Sequence, residues 1–143
     1  MKVYLAGAIE NINPDEATNW RDKSRAFLEA HGIEVVCPIR DGPGILPPDI
    51  SDEDAYDAVE ADFGIMDPCD LIIANLSKPS DGTAMEIYRS AWCNGVPVYG
   101  FGYDRRSIFM KVCVDTFFDT LEDALVNAVA YLKMLEDFEG THI

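Results

Sequence analysis

The 143-residue chain has little positive charge, with 11 Lys and Arg against 26 Asp and Glu and a formal net charge of −15. A surface this acidic repels phosphate backbones, which excludes long nucleic acid and anionic membrane as expected partners but leaves room for one small molecule in a pocket. No apolar run approaches the ~20 residues a membrane-spanning helix needs. The N-terminal stretch, Met1 to Glu10, is too short and too soon acidic for a signal peptide. Histidine is nearly absent: His31 reads as a helix-end residue and His142 as part of a frayed tail, so neither suits a nucleophilic triad. The four cysteines, Cys37, Cys69, Cys93 and Cys113, form no CxxC and no Cys/His pair at metal spacing. They read as reduced thiols of a cytoplasmic protein. Missing too are the GxxxxGKS/T phosphate loop, a GxGxxG after the first strand and a GxSxG nucleophile elbow.

What is present is an alternation of short apolar runs with longer helical patterns, without repeats or linkers, over a single domain spanning 1–143. Lys2 to Ala6 reads as the first strand. Asn13 then caps a helix, with Pro14 at its first position and Glu16 three residues after the cap. Trp20, Ser24, Phe27 and Leu28 continue at helical spacing to His31-Gly32. Ile33 to Cys37 predicts the second strand, and the Pro- and Gly-rich residues 38–50 a loop. Ser51 opens a second helix with Tyr56, Val59, Phe63 and Met66 as its apolar stripe, ended by Pro68. Leu71 to Ala74 is apolar throughout, as a central parallel strand covered on both faces would be. A third helix is expected from Gly82-Thr83 to Asn94-Gly95, a fourth strand over Val96 to Tyr99, a loop over 100–111 and a fifth strand over Val112 to Phe118. Leu121, Leu125, Val129, Leu132 and Leu135 mark the last helix. This order implies an α/β fold: a doubly wound, Rossmann- or flavodoxin-like, mostly parallel five-stranded sheet with helices on both faces. Ligands of such sheets bind beyond the carboxyl ends of the strands.

That rule directs attention to residues 6–14, 36–52 and 75–86. In the last of these, Asn75 ends the buried strand, a polar turn of Ser80, Asp81, Gly82 and Thr83 follows, and Glu86 lies within the first turn of the next helix. The helix dipole would favour ionised Glu86, and an ionised carboxylate in a pocket is what a covalent glycosyl intermediate requires. On spacing alone, the favoured reading is that Glu86 serves only to offset the dipole, since acids are common in first turns. Asp62 shares a helix face with Val59 and Met66. A carboxylate there lines a cavity, where burial would raise its pKa and suit it to donate a proton, or sits at the stripe's edge as a surface acid beside Asp54, Asp57 and Glu60. Tyr4 is either a core aromatic or a hydroxyl near the strand end that orients a carboxylate.

At these residues the chain resembles the nucleoside 2-deoxyribosyltransferase family and its relatives, the deoxynucleoside 5′-monophosphate N-glycosidases. The resemblance spans residues 1–100. It rests on Tyr4-Leu5-Ala6-Gly7, on Asp62 followed eight residues later by Asp70, and on Ser80-Asp81-Gly82-Thr83 with Glu86. It implies a retaining two-step displacement on a 2′-deoxynucleoside. Glu86 would attack C1′, Asp62 would protonate the departing base with help from Ser80 or Asp81, and Tyr4 would hold Glu86 in line. Gly7, Asn75, Ser80, Asp81, Gly82 and Thr83 would bind substrate, with neither metal nor organic cofactor. The partners implied are a nucleoside, a nucleobase and further copies of the chain, a neighbouring subunit completing the site through residues 104–115. Two features depart from the family pattern: Ala8 stands where Pro is usual, and Tyr88 and Ser90 where small residues are common after the Glu. Acidic Glu10, Asp15 and Glu16 near the first loop favour unphosphorylated donors over 5′-monophosphates, although Arg21, Arg25 or Arg40 could fold back towards a phosphate. A non-catalytic nucleotide-binding or sensor module remains the alternative of a different class.

Overall fold

The computed structural model describes residues 1–102 and 107–141; residues 103–106, 142 and 143 lie outside the described residues, as does the side chain of Thr141. Five strands form one sheet: β1 (Lys2–Gly7), β2 (Glu34–Val36), β3 (Leu71–Asn75), β4 (Val98–Phe101) and β5 (Thr116–Phe118). Their order is β2-β1-β3-β4-β5 and every pairing is parallel. The chain moves one way from β1 to β2 and then the other way to β3. The loops leaving β1 and β3 therefore part at the carboxyl edge and open a crevice between them.

Among the described residues, six α-helices flank the sheet: α1 (Pro14–Ala30), α2 (Pro38–Asp41), α3 (Asp52–Met66), α4 (Asp81–Tyr88), α5 (Ile108–Cys113) and α6 (Leu121–Thr141). Strand alternation sorts the core into two layers. Val3, Leu5, Leu71 and Ile73 pack with Leu28 of α1 and with Leu125, Val129 and Leu132 of α6. Tyr4, Ala6, Ile72 and Ala74 face the other way, onto Met66 of α3, Ile87 of α4 and Cys113 of α5. Side-chain caps fix where the helices start. Asn13 accepts from the Asp15 amide at 2.8 Å, Ser51 from Asp54 at 3.1 Å and Ser80 from Thr83 at 3.2 Å. Each cap stabilises its helix by about 1 kcal/mol.

The structure departs from the sequence expectations in five places. Residues 38–41 form the short α2 inside the expected loop, with Pro38 at its first position and the Asp41 carboxylate accepting from the Cys37 amide. Tyr56 and Val59 are exposed, because the first two turns of α3 stand clear of the sheet. The third helix does not run regularly to Asn94: after α4 it widens into a π-helical turn over Arg89–Cys93. β4 lies two residues later than expected. Parallel pairing with β3 aligns Ile72 with Val98 and Asn75 with Phe101, and Gly100 sits inside the strand because Leu76 packs over it. Residues 108–113, divided by expectation between a loop and a strand, instead form α5, with Ser107 as its cap, and only Thr116–Phe118 is strand. No described helix is long and apolar enough to cross a membrane.

Candidate active site

The crevice between β1 and β3 holds a cleft of about 290 Å³. The turn after β1 forms one wall with Gly7, Ile9, Glu10 and Asn11. Asp62 of α3 stands at the side, and Pro79 to Thr83 with Glu86 form the other wall. Asn11 adopts φ 60°, a left-handed conformation that Asn tolerates better than most residues. Gly7 is required by close approach. A Cβ there would lie 2.7 Å from Cζ2 of Trp20 and 3.2 Å from Cβ of Asn75.

Tyr4 is fully buried in the middle of β1, and its hydroxyl donates a hydrogen bond to Oε2 of Glu86. Glu86 is the sixth residue of α4, because Ser80 caps the helix and Asp81 begins it. It thus belongs to the second turn, where the helix dipole has faded. Its pKa is raised from 4.5 to about 7. Burial is the main cause and Asp62 adds to it, while the Tyr4 hydrogen bond and Arg21 oppose it. This reverses the expectation that the dipole would hold Glu86 ionised: desolvation outweighs it. Asp62 is pushed up to about 6 by burial, with Arg21 opposing. Its Oδ1 is buried without a hydrogen-bond partner.

Ser80 accepts hydrogen bonds from both the amide and the hydroxyl of the buried Thr83, at 3.2 and 3.0 Å. Asp81 and Gly82 are exposed at the mouth. The structure thus brings Tyr4, Gly7, Asp62, Ser80, Asp81, Gly82, Thr83 and Glu86 to one place. Asn75 does not join them. Its carboxamide accepts from the Ser77 amide at 3.0 Å and lines a separate cavity of about 320 Å³ with Trp20 and Lys78, on the α1 side of the β1 turn. Asp70 is equally remote, accepting from the Lys2 amide at the amino edge of the sheet. Tyr88 is exposed and stacked on Trp92, outside the cleft. Of the expected partner-contributed segment 104–115, residues 104–106 lie outside the described residues, as does His142.

One residue escaped the sequence reading as part of this cluster. Arg21 of α1 is 1% exposed, and its guanidinium donates to the carbonyl of Gly7 at the end of β1. The available signal was its position four residues after Ala17 and seven before Leu28, on the inward face of α1. Among the described residues, no group of three or more His, Cys, Asp or Glu could hold a metal ion.

Two carboxylates sharing a small cleft, one of them held by a buried tyrosine, at the switch point of a flavodoxin-like sheet define a class: an α/β protein with a small-molecule site built for acid–base or nucleophilic chemistry. The nucleoside 2-deoxyribosyltransferase family model matches residues 3–132, and the chain belongs to that family. Membership indicates a glycosyl-transferring or N-glycosidase enzyme acting on nucleosides.

Solved structures share the fold. A conserved protein from Enterococcus faecalis superposes with a TM-score of 0.66 at 18% identity, over 87% of this chain and 94% of its own. A 2-deoxyribosyltransferase from Bacillus psychrosaccharolyticus gives a TM-score of 0.66 at 20% identity, over 87% and 90%. A CMP N-glycosidase from Clostridium botulinum gives 0.57 at 21%, over 92% and 99%. No curated protein sequence matches the chain significantly.

Proposed function

We propose that the chain transfers the deoxyribosyl group of unphosphorylated 2′-deoxynucleosides from one nucleobase to another, with Glu86 as nucleophile. The observation that carries this reading is the buried Tyr4 hydroxyl bonded to Glu86 in a cleft shared with Asp62. A Glu86 oxygen attacks C1′. The bond from C1′ to the base nitrogen breaks, its electron pair leaves with the base, and the Asp62 proton goes to that base. The resulting ester between Glu86 and the sugar is then attacked by a nitrogen of the acceptor base. The C1′–O bond breaks, its electrons return to Glu86, and the acceptor's proton returns to Asp62. The unpartnered Oδ1 of Asp62 suits this role, because no protein group competes for it. Tyr4 fixes the attacking carboxylate and favours its ionised form. Gly7 and the turn from Ser80 to Thr83 shape the sugar pocket.

Glu10, Asp62, Asp81 and Glu86 line the cleft, and among the described residues no Lys or Arg does. That charge disfavours a 5′-phosphate. Hydrolysis of deoxynucleoside 5′-monophosphates is the second reading, favoured by the start of α4, where Asp81 and Gly82 of the first turn border the cleft.

The functional unit is a homo-oligomer. Met85, Tyr88 and Phe109, each more than half exposed, line an apolar cavity of about 490 Å³, and the equally exposed Trp92 stacks on Tyr88 at its border. A contiguous apolar face of this kind marks an association surface. A second copy laid there borders the cleft, because Ala84 and Met110 also line the groove flanking Ser80 to Thr83.

The test is chromatography of reactions with each 2′-deoxynucleoside and each 5′-monophosphate, with and without a second free base. New nucleoside from unphosphorylated donors, absent with Glu86→Gln, is the expected result. Free base from monophosphates alone would establish the second reading. Ligand binding without turnover on any donor would leave a binding module.

A further inference from the structure

Arg21 is a long cation on the inward face of α1, with 1% of its surface exposed. Burying a guanidinium costs several kcal/mol unless its charge is met. Nη1 donates to the carbonyl of Ala17 at 2.7 Å and Nη2 to that of Gly7 at 3.0 Å, while Nε has no partner. The guanidinium also lies 4.7 Å from the ring centre of Trp20. Carbonyls and an aromatic face solvate a cation but do not neutralise it, and among the described ion pairs none involves Arg21. The groups its charge does reach come from three elements and one connecting residue. They are Cys37 beyond β2, Tyr4 of β1, Glu86 of α4 and Asp62 of α3. Conversely, Arg21 is the basic residue whose charge reaches both Glu86 and Asp62.

We propose that Arg21 is a positioning residue, the shared counter-cation of the Glu86–Asp62 pair, anchored to the floor of the cleft through the Gly7 carbonyl. This rests on the reading of Glu86 as nucleophile. The anchor sets where the charge sits: Nη2 grips the end of the strand that carries Tyr4. The charge then limits how many protons the two carboxylates hold together. One proton is useful only on Asp62; on Glu86, which holds it somewhat more tightly (about 7 against about 6), it quenches the nucleophile, and a second proton does so outright. Arg21 never touches substrate in this scheme.

The consequence has a definite sign. A cation lowers the proton affinity of both carboxylates, so its loss raises both, and the two limbs of the pH profile of kcat/KM move to higher pH together. A packing defect would lower the profile without moving it. The experiment measures kcat/KM against pH for deoxyribosyl transfer in the wild type, Arg21→Gln, Arg21→Lys and Glu86→Gln, with thermal unfolding alongside. In Arg21→Gln both limbs are expected to rise by roughly one pH unit, so that activity at pH 6 falls about fivefold beyond any change in height. Arg21→Lys keeps the charge and loses the fork, so its limbs stay near those of the wild type while its height drops. Unmoved limbs in Arg21→Gln would overturn the proposal while leaving Glu86 in place. Activity retained in Glu86→Gln would instead remove the nucleophile reading itself. If Arg21→Gln alone fails to fold, Arg21→Gln combined with Glu86→Gln is expected to fold again, since the uncompensated carboxylate is gone. Failure of the pair to recover would count against Arg21 as counter-cation.

Discussion

Replacing Glu86 with Gln is expected to stabilise the protein while abolishing its reaction. The unfolded chain ionises Glu86 near 4.5, and the folded chain near 7. Below 4.5 the group is protonated in both states and costs nothing. As pH rises above 4.5 the unfolded state releases its proton first, so stability falls, and the full cost is present above 7. Over about 2.5 pH units, at about 1.4 kcal/mol each, that cost comes to 3–4 kcal/mol. A Gln removes it. Its amide oxygen still accepts from Tyr4, but its NH₂ group needs a partner in a partly dry cleft, which takes back about 1 kcal/mol. The net gain is then about 2–3 kcal/mol at pH 8, or roughly 6–9 °C in Tm for a chain of this size. At pH 5.5 most of the gain should vanish. Calorimetric melting of both proteins at pH 5.5 and pH 8 measures it. A variant that melts no higher than the wild type at pH 8, or that shows the same gap at both pH values, would refute the claim that burial raises Glu86.

Other perturbations probe the remaining parts. Tyr4→Phe removes the donor to Glu86; kcat should fall roughly 10- to 100-fold with KM little changed, and the acid limb of the pH profile should move upward. Gly7→Ala forces Trp20 or Asn75 to give way, for a loss of roughly 1–3 kcal/mol by urea unfolding, and Trp20→Leu in the same chain should recover part of it. Trp92→Glu places a charge in the exposed apolar face; sedimentation should show smaller particles than the wild type, and activity should fall with them.

The parts that were legible from the sequence are those governed by local rules. Asn13-Pro14 and Ser51 announced α1 and α3 because capping is a contact within four residues, and Leu71 to Ala74 announced a buried strand by apolarity alone. The β4 boundary was not local. Gly100 looks like a strand stop until Leu76, from a different element, is seen to need the space above it. Val112-Cys113-Val114 looks like a strand for the same want of context: its β-branched residues are typical of sheets, yet Ser107 caps a helix that runs through the first two of them. In the cleft, Tyr4, Asp62 and Glu86 were found as polar groups at the ends or on the apolar faces of elements. Arg21 was read only as one of three arginines able to fold back towards a phosphate, because an Arg in a helix ordinarily reaches water and nothing local signals its burial. Asn75 was assigned to the cleft from its place at the end of β3, but its side chain serves its own turn.

The Tyr4–Glu86 hydrogen bond joins residues 82 positions apart. Nothing in either local segment encodes it, and closing so long a loop is favourable only after β1 and β3 have paired and α4 has docked. On the proposed mechanism, catalytic competence is therefore a late event in the chain's assembly. A fragment ending before α4 lacks one partner, and a fragment lacking the first strand lacks the other, so neither holds a partial site. On the proposed mechanism, activity in this protein reports the completed sheet, since neither half of the Tyr4–Glu86 pair is in place without it.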